Sequence, residues 1–182
     1  KPFLSTEFTV NRNQYQANGY RVAFAMAQLY HKNMALMDAS ALIYCWSLLD
    51  VEQASFGGTR SLFVADRSRG GMPVTSSHQA RVFGAYSRRL REGMVRVGTE
   101  VAGDGLLATA YEGEGGRRTV VLTNRGTAPL AVTVDWPGAG FRWEERASPW
   151  EENAVRAAGR RPVQVEPGEL VTLTNVDLGR AR

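Results

Sequence analysis

Cysteine, histidine and lysine are scarce in this 182-residue chain, and each scarcity excludes something. Cys45 is the one cysteine, which rules out an intrachain disulfide framework and a cysteine metal site. The two histidines, His31 and His78, fall on predicted helices with no partner at metal-ligand spacing, so both read as structural and no metal is expected. No apolar run approaches the roughly 20 residues of a bilayer-crossing helix. Gly57-Gly58 and Gly70-Gly71 match neither a P-loop nor a dinucleotide fingerprint, and no cofactor is implied. Lys1 and Lys32 are the two lysines among 22 cationic residues; the others are arginines, set against 18 acids. Nucleic-acid binders gather such charge on one face. Here only Arg88-Arg89-x-Arg91 is locally dense, and Glu92 follows it. A solvated arginine-rich surface is the reading that fits, with no nucleic-acid partner.

What the chain does contain is enough apolar material for a core, 43% hydrophobic residues at a mean hydropathy of −0.28. That excludes a disordered chain. The opening Lys1-Pro2-Phe3-Leu4-Ser5-Thr6-Glu7 lacks the charged head and long apolar run of a signal peptide, and it does not begin with Met. It reads as the interior of a longer protein.

Two patterns meet near Gly93. Before it, Phe3 to Phe8 is a short β-prone run ending in a carboxylate, and Asn13 with Gln16 resembles a capping box. Tyr20, Phe24, Ala27, Tyr30 and Met34 recur at helical spacing, with Arg21, Gln28 and Lys32 opposite. Ala41-Leu42-Ile43-Tyr44-Cys45-Trp46 is a continuous apolar run, as in a parallel strand buried on both faces. Ser76 and Gln79 offer a second capping box before the stripe Ala80, Phe83, Tyr86 and Leu90, and Gly93 stands where a helix stop belongs. After Gly93 come six strand-like pieces: 106–111, 119–124, 130–136, 141–147, 163–165 and 170–174. Turn chemistry such as Gly113-Glu114-Gly115-Gly116 and Glu166-Pro167-Gly168 separates them. The first part reads as β/α and the second as an antiparallel sandwich.

Glu7 is the strongest candidate for chemistry. A glutamate at the C-terminal end of a strand, just before a loop, stands where a (β/α)8 barrel carries catalytic groups; the plainer alternative is a surface glutamate. Trp46 closes the second run, where its ring could floor a sugar subsite or serve as a core aromatic. Asp50, Glu52 and Gln53 in the next loop could hydrogen-bond a substrate or simply solvate the loop. Ser5 and Ser47 lack any context for a nucleophile.

The segment from Arg81 through Gly84-Ala85-Tyr86-Ser87-Arg88-Arg89-Leu90-Arg91-Glu92-Gly93 to Val97 resembles the helix-exit motif of glycoside hydrolase family 30. Leu107–Tyr111, Thr119–Asn124, Ala147–Asn153 and Val165–Leu173 are similar, in order, to pieces of that family's β-domain. Two positions depart from the pattern. Glu92 replaces a usual proline, and Ser5-Thr6 precede Glu7 where tryptophan is common, a difference that leaves room for the neighbouring barrel families 39 and 5.

The resemblance implies an α/β plus all-β chain: residues 1–93 as the last two β/α units of a (β/α)8 TIM barrel (strands 7 and 8 with their helices), and residues 94–182 as an antiparallel β-sandwich side domain. It implies retaining hydrolysis of β-O-glycosidic bonds in an oligosaccharide, polysaccharide or glycoside, with Glu7 as nucleophile and Trp46 beside the subsite of the attacked sugar. Glu52 joins Trp46 as a substrate-binding candidate. The family's acid/base belongs to the fourth strand, so the partner expected for this chain is an N-terminal barrel segment of the same protein. Without it the chain is incomplete and inactive, and the apolar faces of residues 3–46 are left uncovered. A secreted or extracytoplasmic location goes with the resemblance. An ionised Glu7 should have an arginine or hydroxyl beside it. The competing reading is a non-catalytic carbohydrate-binding or accessory β-sandwich that stacks sugars on Trp136, Trp143 or Trp150; sandwich core is the commoner fate of such residues.

Overall fold

Aromatic residues at helical and strand spacing organise the first part of the chain. In the computed structural model, Phe3–Phe8 forms β1 and Tyr20–His31 forms α1, followed by a π-helical turn at Lys32–Leu36 and by β2 at Ala39–Tyr44. Strands β3 (Leu48–Asp50), β4 (Phe63–Ala65) and β5 (Val74–Ser76) then lead to α2 (His78–Ser87). The structure describes residues 3–8, 20–50, 61–138, 140–150, 155–159 and 162–177, and the chain divides into two units, Lys1–Phe83 and Gly84–Arg182.

In the first unit β1 and β2 pair in parallel, while β4 pairs parallel with β3 and antiparallel with β5. Phe8 stacks on Tyr30 at 4.9 Å between ring centroids, and Tyr44 and Phe83 complete the cluster at 6.0–6.2 Å. Offset and tilted rings at these separations add about 0.5–1.5 kcal/mol per pair beyond burial. The predicted face of α1 is largely right, since Tyr20, Ala27 and Tyr30 are buried, together with Val22, Ala23 and Met26.

Three expectations are corrected. The apolar run 41–46 is not a strand buried on both faces: β2 ends at Tyr44, and Ile43 is exposed. The reason is local. Trp46 takes a left-handed backbone (φ 66), which ends the extended run, and among the described residues β2 pairs with β1 alone in a two-stranded sheet. The cap of α2 is Ser77 rather than Ser76, which lies in β5. The Ser77 hydroxyl accepts the Ala80 N–H at 3.3 Å and sits 2.8 and 3.0 Å from the carbonyls of Ser61 and Leu62. The strand proposed for 130–136 stops at Val132. Asn13 and Gln16 lie outside the described residues.

The second unit opens inside α2, ahead of the change of pattern at Gly93, because the end of that helix carries buried residues of this unit. Its strands are β6 (Val95–Val97), β7 (Leu106–Gly113), β8 (Arg117–Asn124), β9 (Leu130–Val132), β10 (Trp143–Ala147), β11 (Val155–Ala157), β12 (Val163–Val165) and β13 (Leu170–Thr174). Six of them form one antiparallel sheet in the order β11-β10-β13-β8-β7-β6, and β12 and β9 form a second pair. Ala108, Ala110, Val120, Leu122, Val171 and Leu173 of the larger sheet share a core with Val163 and Val165 of the smaller. Buried Asn124 ties them, its Nδ2 donating to Ala128 and Val165 carbonyls at 2.9 Å each and its Oδ1 accepting from Gly126 N–H at 2.8 Å. Gly105 is required beside it: its φ is 87, and a Cβ there would stand 3.2 Å from Gly126 Cα.

The opposite face of the large sheet is buried too and mixes Val121, Leu170 and Tyr111 with Thr109, Thr119, Thr123, Thr172 and Thr174. Thr119 and Thr172 donate to the carbonyls of Arg89 and Ala85 at 2.8 and 3.3 Å. Buried Glu145 receives both arginines that follow α2, Arg89 at 3.0 Å and Arg88 through its Nη2. Arg89 departs from the reading of an arginine-rich solvated surface, being 1% exposed and also reaching the Val176 carbonyl, whereas Arg88 beside it is exposed. Arg146 bridges Glu144 and Glu169, and Arg156 adds a second cation to Glu144. Burial alone would raise the Glu144 carboxyl, but hydrogen bonds from Arg146 and Arg156 hold it below the usual carboxylate range.

Two outcomes are expected. Glu145→Gln leaves buried Arg89 without its counter-charge and costs about 3–5 kcal/mol, read as a lower urea midpoint with unchanged slope; Arg89→Met costs less because Arg88 still faces Glu145, and Arg89→Met/Glu145→Leu costs less than the two single changes added. Burial also raises Tyr86 beyond the usual phenol range and pushes Tyr111 up to about 12. Their unfolded forms ionise near 10, so stability is intact below pH 10 and falls as pH rises from there toward 12, by about 1.4 kcal/mol per unit for each tyrosine. Spectrophotometric titration alongside chemical unfolding at pH 8–11 checks this. Tyr111→Phe flattens the decline.

Candidate functional site

The site is made at the C-terminal ends of the β1–β2 pair, by departures from regular strand geometry. Ser5 pairs with Leu42 and Phe8 with Tyr44, so three steps along β1 match two along β2. The extra residue makes a bulge at Thr6–Glu7, and bulges re-aim side chains next to functional sites. Phe8 and Tyr44 turn together into the aromatic cluster, which anchors the strand ends immediately beside Glu7. Glu7 itself is exposed.

The backbone ladder runs one residue past β2, with the Cys45 N–H donating to the Phe8 carbonyl at 3.1 Å. This sets Cys45 beside the bulge. Its thiol Sγ lies 3.9 Å from Glu7 Oε1. Among the described residues this thiol is the side-chain hydrogen-bond partner of Glu7, where an arginine or hydroxyl was expected.

Trp46 follows at once. Its backbone is left-handed, and the residue is 44% exposed. Such a backbone costs a non-glycine residue of order 1–2 kcal/mol and persists where neighbouring bonds determine it. Those bonds are present: the Trp46 carbonyl accepts from Leu62 N–H at 3.1 Å, and the Ser47 carbonyl accepts from Phe63 N–H at 2.8 Å. Glu7 and Cys45 therefore meet across the strand pair, and Trp46 is the residue after Cys45. Asp50 is engaged elsewhere, facing Arg67 at 3.4 Å, and Glu52 and Gln53 lie outside the described residues.

The other candidates separate. His78 meets the ring of Tyr20 edge-on at 5.7 Å, and burial, then the nearby Arg81 charge, lowers its pKa, as suits a structural imidazole. Trp136 packs against the core, with Phe141 at 6.1 Å and the Arg118 guanidinium 5.7 Å from its ring. Trp143 donates to Asp177 at 2.9 Å, and Trp150 is 56% exposed. No group of three or more metal-ligating side chains occurs among the described residues, and no helix there is long and apolar enough to cross a membrane.

Sequence reasoning singled out Glu7 and Trp46 as candidates but gave Cys45 no role beside them. Its position beside Glu7 follows from the parallel register and the bulge, which no single-strand pattern displays.

No protein-family profile and no curated protein sequence matches the chain. Solved structures do. A glycoside hydrolase family 30 subfamily 8 xylanase from Clostridium acetobutylicum superposes with a TM-score of 0.73 at 16% identity, covering 96% of this chain and 42% of that one. The catalytic domain of a family 30 xylanase from Talaromyces cellulolyticus gives 0.74 at 15% identity, over 95% and 40% of the two chains. A conserved exported protein from Bacteroides fragilis gives 0.77 at 14% identity, over 96% and 39%. The chain thus has a fold found in glycoside hydrolases, and the family 30 likeness read from its motifs is met again in the structures. It spans about two fifths of the length of these structures.

The Trp46 backbone generates a comparison. Trp46→Gly and Trp46→Val both lose the ring, but only glycine accepts the left-handed φ without strain. Trp46→Val is expected to be less stable than Trp46→Gly by roughly 1–2 kcal/mol in thermal or urea unfolding.

Proposed function

We propose that this chain is the C-terminal part of a retaining β-glycosidase, contributing the last two β/α units of a (β/α)8 barrel and an antiparallel β-sandwich. Glu7 attacks the anomeric carbon of a β-linked sugar to form a glycosyl-enzyme, which water then hydrolyses. A second carboxylate, about 5–5.5 Å from the first, protonates the leaving oxygen and afterwards activates the water. That acid/base comes from the remaining barrel of the same protein. Trp46 floors the subsite, its face against the apolar C–H face of the pyranose, and Glu52 is assigned to substrate hydroxyls.

One observation carries this reading: an exposed glutamate at the C-terminal end of a parallel strand, on a bulge, with an exposed tryptophan two residues past the end of the paired strand. Parallel β/α proteins assemble their chemistry at such strand ends. The family 30 likeness supports the substrate class, a β-glycan, without choosing the sugar.

A non-catalytic sugar-binding role for the second unit rests on Trp150. Trp136 and Trp143 are engaged in packing and in a hydrogen bond, whereas Trp150 presents an exposed ring. If that ring is a platform, Trp150→Ala lowers retention on insoluble polysaccharide.

The main test uses the intact protein on xylan, β-1,6-glucan and galactan, with released reducing ends as the readout. Glu7→Gln is expected to lower turnover of whichever glycan is cleaved by at least a thousandfold, with an unchanged melting temperature. Substantial residual turnover sinks the nucleophile assignment.

A further inference from the structure

We infer that Cys45 is a positioning residue for Glu7, holding the carboxylate through its thiol; the inference rests on the nucleophile reading above and concerns the same site. Three observations converge on it. The bulge at Thr6–Glu7 places two residues of β1 against one of β2, so the Glu7 backbone sits outside the regular ladder and its direction is not set by pleating alone. The Cys45 N–H···O=C bond to Phe8, at 3.1 Å, then fixes the next residue of the neighbouring strand at the height of the bulge. From there the thiol reaches Glu7 Oε1 at 3.9 Å. A thiol is a weak donor and a carboxylate a strong acceptor, so the S–H points toward the carboxylate oxygen.

The surroundings give that bond its purpose. Glu7 is exposed, and an exposed glutamate samples many rotamers unless something fixes it. On the opposite side of the strand pair Phe8 and Tyr44 are packed against Tyr30 and Phe83, so the backbone beneath is rigid while the carboxylate above it is loose. Nucleophilic attack needs the oxygen held near the anomeric carbon. The thiol restrains the carboxylate while adding no charge that would compete for the sugar's developing positive charge. Cys45 touches the proposed nucleophile and not the substrate, so it acts through Glu7.

The experiment compares Cys45→Ala, Cys45→Ser and Cys45→Val with Glu7→Gln, all in the intact protein, on whichever of xylan, β-1,6-glucan or galactan it cleaves. Cys45→Ala removes the donor and is expected to lower kcat roughly three- to tenfold with KM nearly unchanged. Cys45→Ser keeps an O–H donor and restores most of the loss. Cys45→Val keeps bulk without a donor and stays as slow as Cys45→Ala. Rescue by valine and not by serine means that Cys45 only packs, and it overturns the inference, as does a wild-type kcat in Cys45→Ala. A Glu7→Gln variant that still turns over removes the nucleophile reading and this inference with it. An inactive Glu7→Gln beside an unaffected Cys45→Ala removes the inference alone.

A second measurement needs no turnover. The S–H stretching band, isolated in the infrared difference between wild type and Cys45→Ala, should sit at lower frequency in the wild type than in Glu7→Gln. An identical band in the two overturns the contact.

Discussion

A carboxylate with no exposure to water needs its counter-charge close at hand, and Glu145 in β10 has two: Arg88 and Arg89, in the residues that follow α2. Much of the second unit's arrangement depends on this triad. The last carbonyls of a helix lack intrahelical donors. In this unit the Ala85 carbonyl, in the last turn, and the Arg89 carbonyl, just past the helix, receive hydroxyls from Thr172 and Thr119. Threonine suits both demands: its β-branched body fits the pleat and its hydroxyl supplies the missing donor. The threonines of this face and the helix-end carbonyls are therefore matched, with the ion pair beside them.

The candidate site follows a different rule. It is built from exceptions, a bulge at Thr6–Glu7 and a left-handed residue at Trp46, each of which a regular strand would avoid. Both exceptions persist because regular structure surrounds them. The Phe8–Tyr30–Tyr44–Phe83 cluster holds the strands from one side, and backbone bonds to Leu62 and Phe63 hold the chain that leaves Trp46. Rigidity behind and exposed side chains in front are what a site needs for presenting a carboxylate and an aromatic ring to a ligand.

Legibility in the sequence divides along the same physical line. The longer strands of the second unit could be read because alternation and turn chemistry are local: Leu170–Thr174 coincides with its expected limits, and Leu106–Gly113 and Arg117–Asn124 each contain the piece expected there. The short strands Val95–Val97 and Val155–Ala157 were missed, since three residues at a sheet edge carry too little pattern. Glu7 and Trp46 could be picked out as strand ends. Cys45 beside Glu7 could not, because that juxtaposition is a property of register between segments far apart in sequence. The burial of Arg89 escaped for a related reason. Its partner Glu145 lies across the unit, and a sequence of neighbouring arginines looks the same whether solvated or paired.

The two units also differ in how fully they cover their own apolar surface. The second pairs two sheets over a common core. The first carries a two-stranded parallel pair whose Phe3, Leu4 and Ile43 remain exposed. Parallel strands are ordinarily covered on both faces and joined to further strands, and a lone pair gains too little burial to offset its ordering. Under the proposed reading these exposed residues are the surface on which the rest of a barrel closes, and the same closure would bring the missing acid/base toward Glu7. Under that reading the exposed strand faces and the need for a second carboxylate have one remedy. This coincidence favours an enzyme segment over an accessory module, because an independent binding module has no need of an open parallel pair.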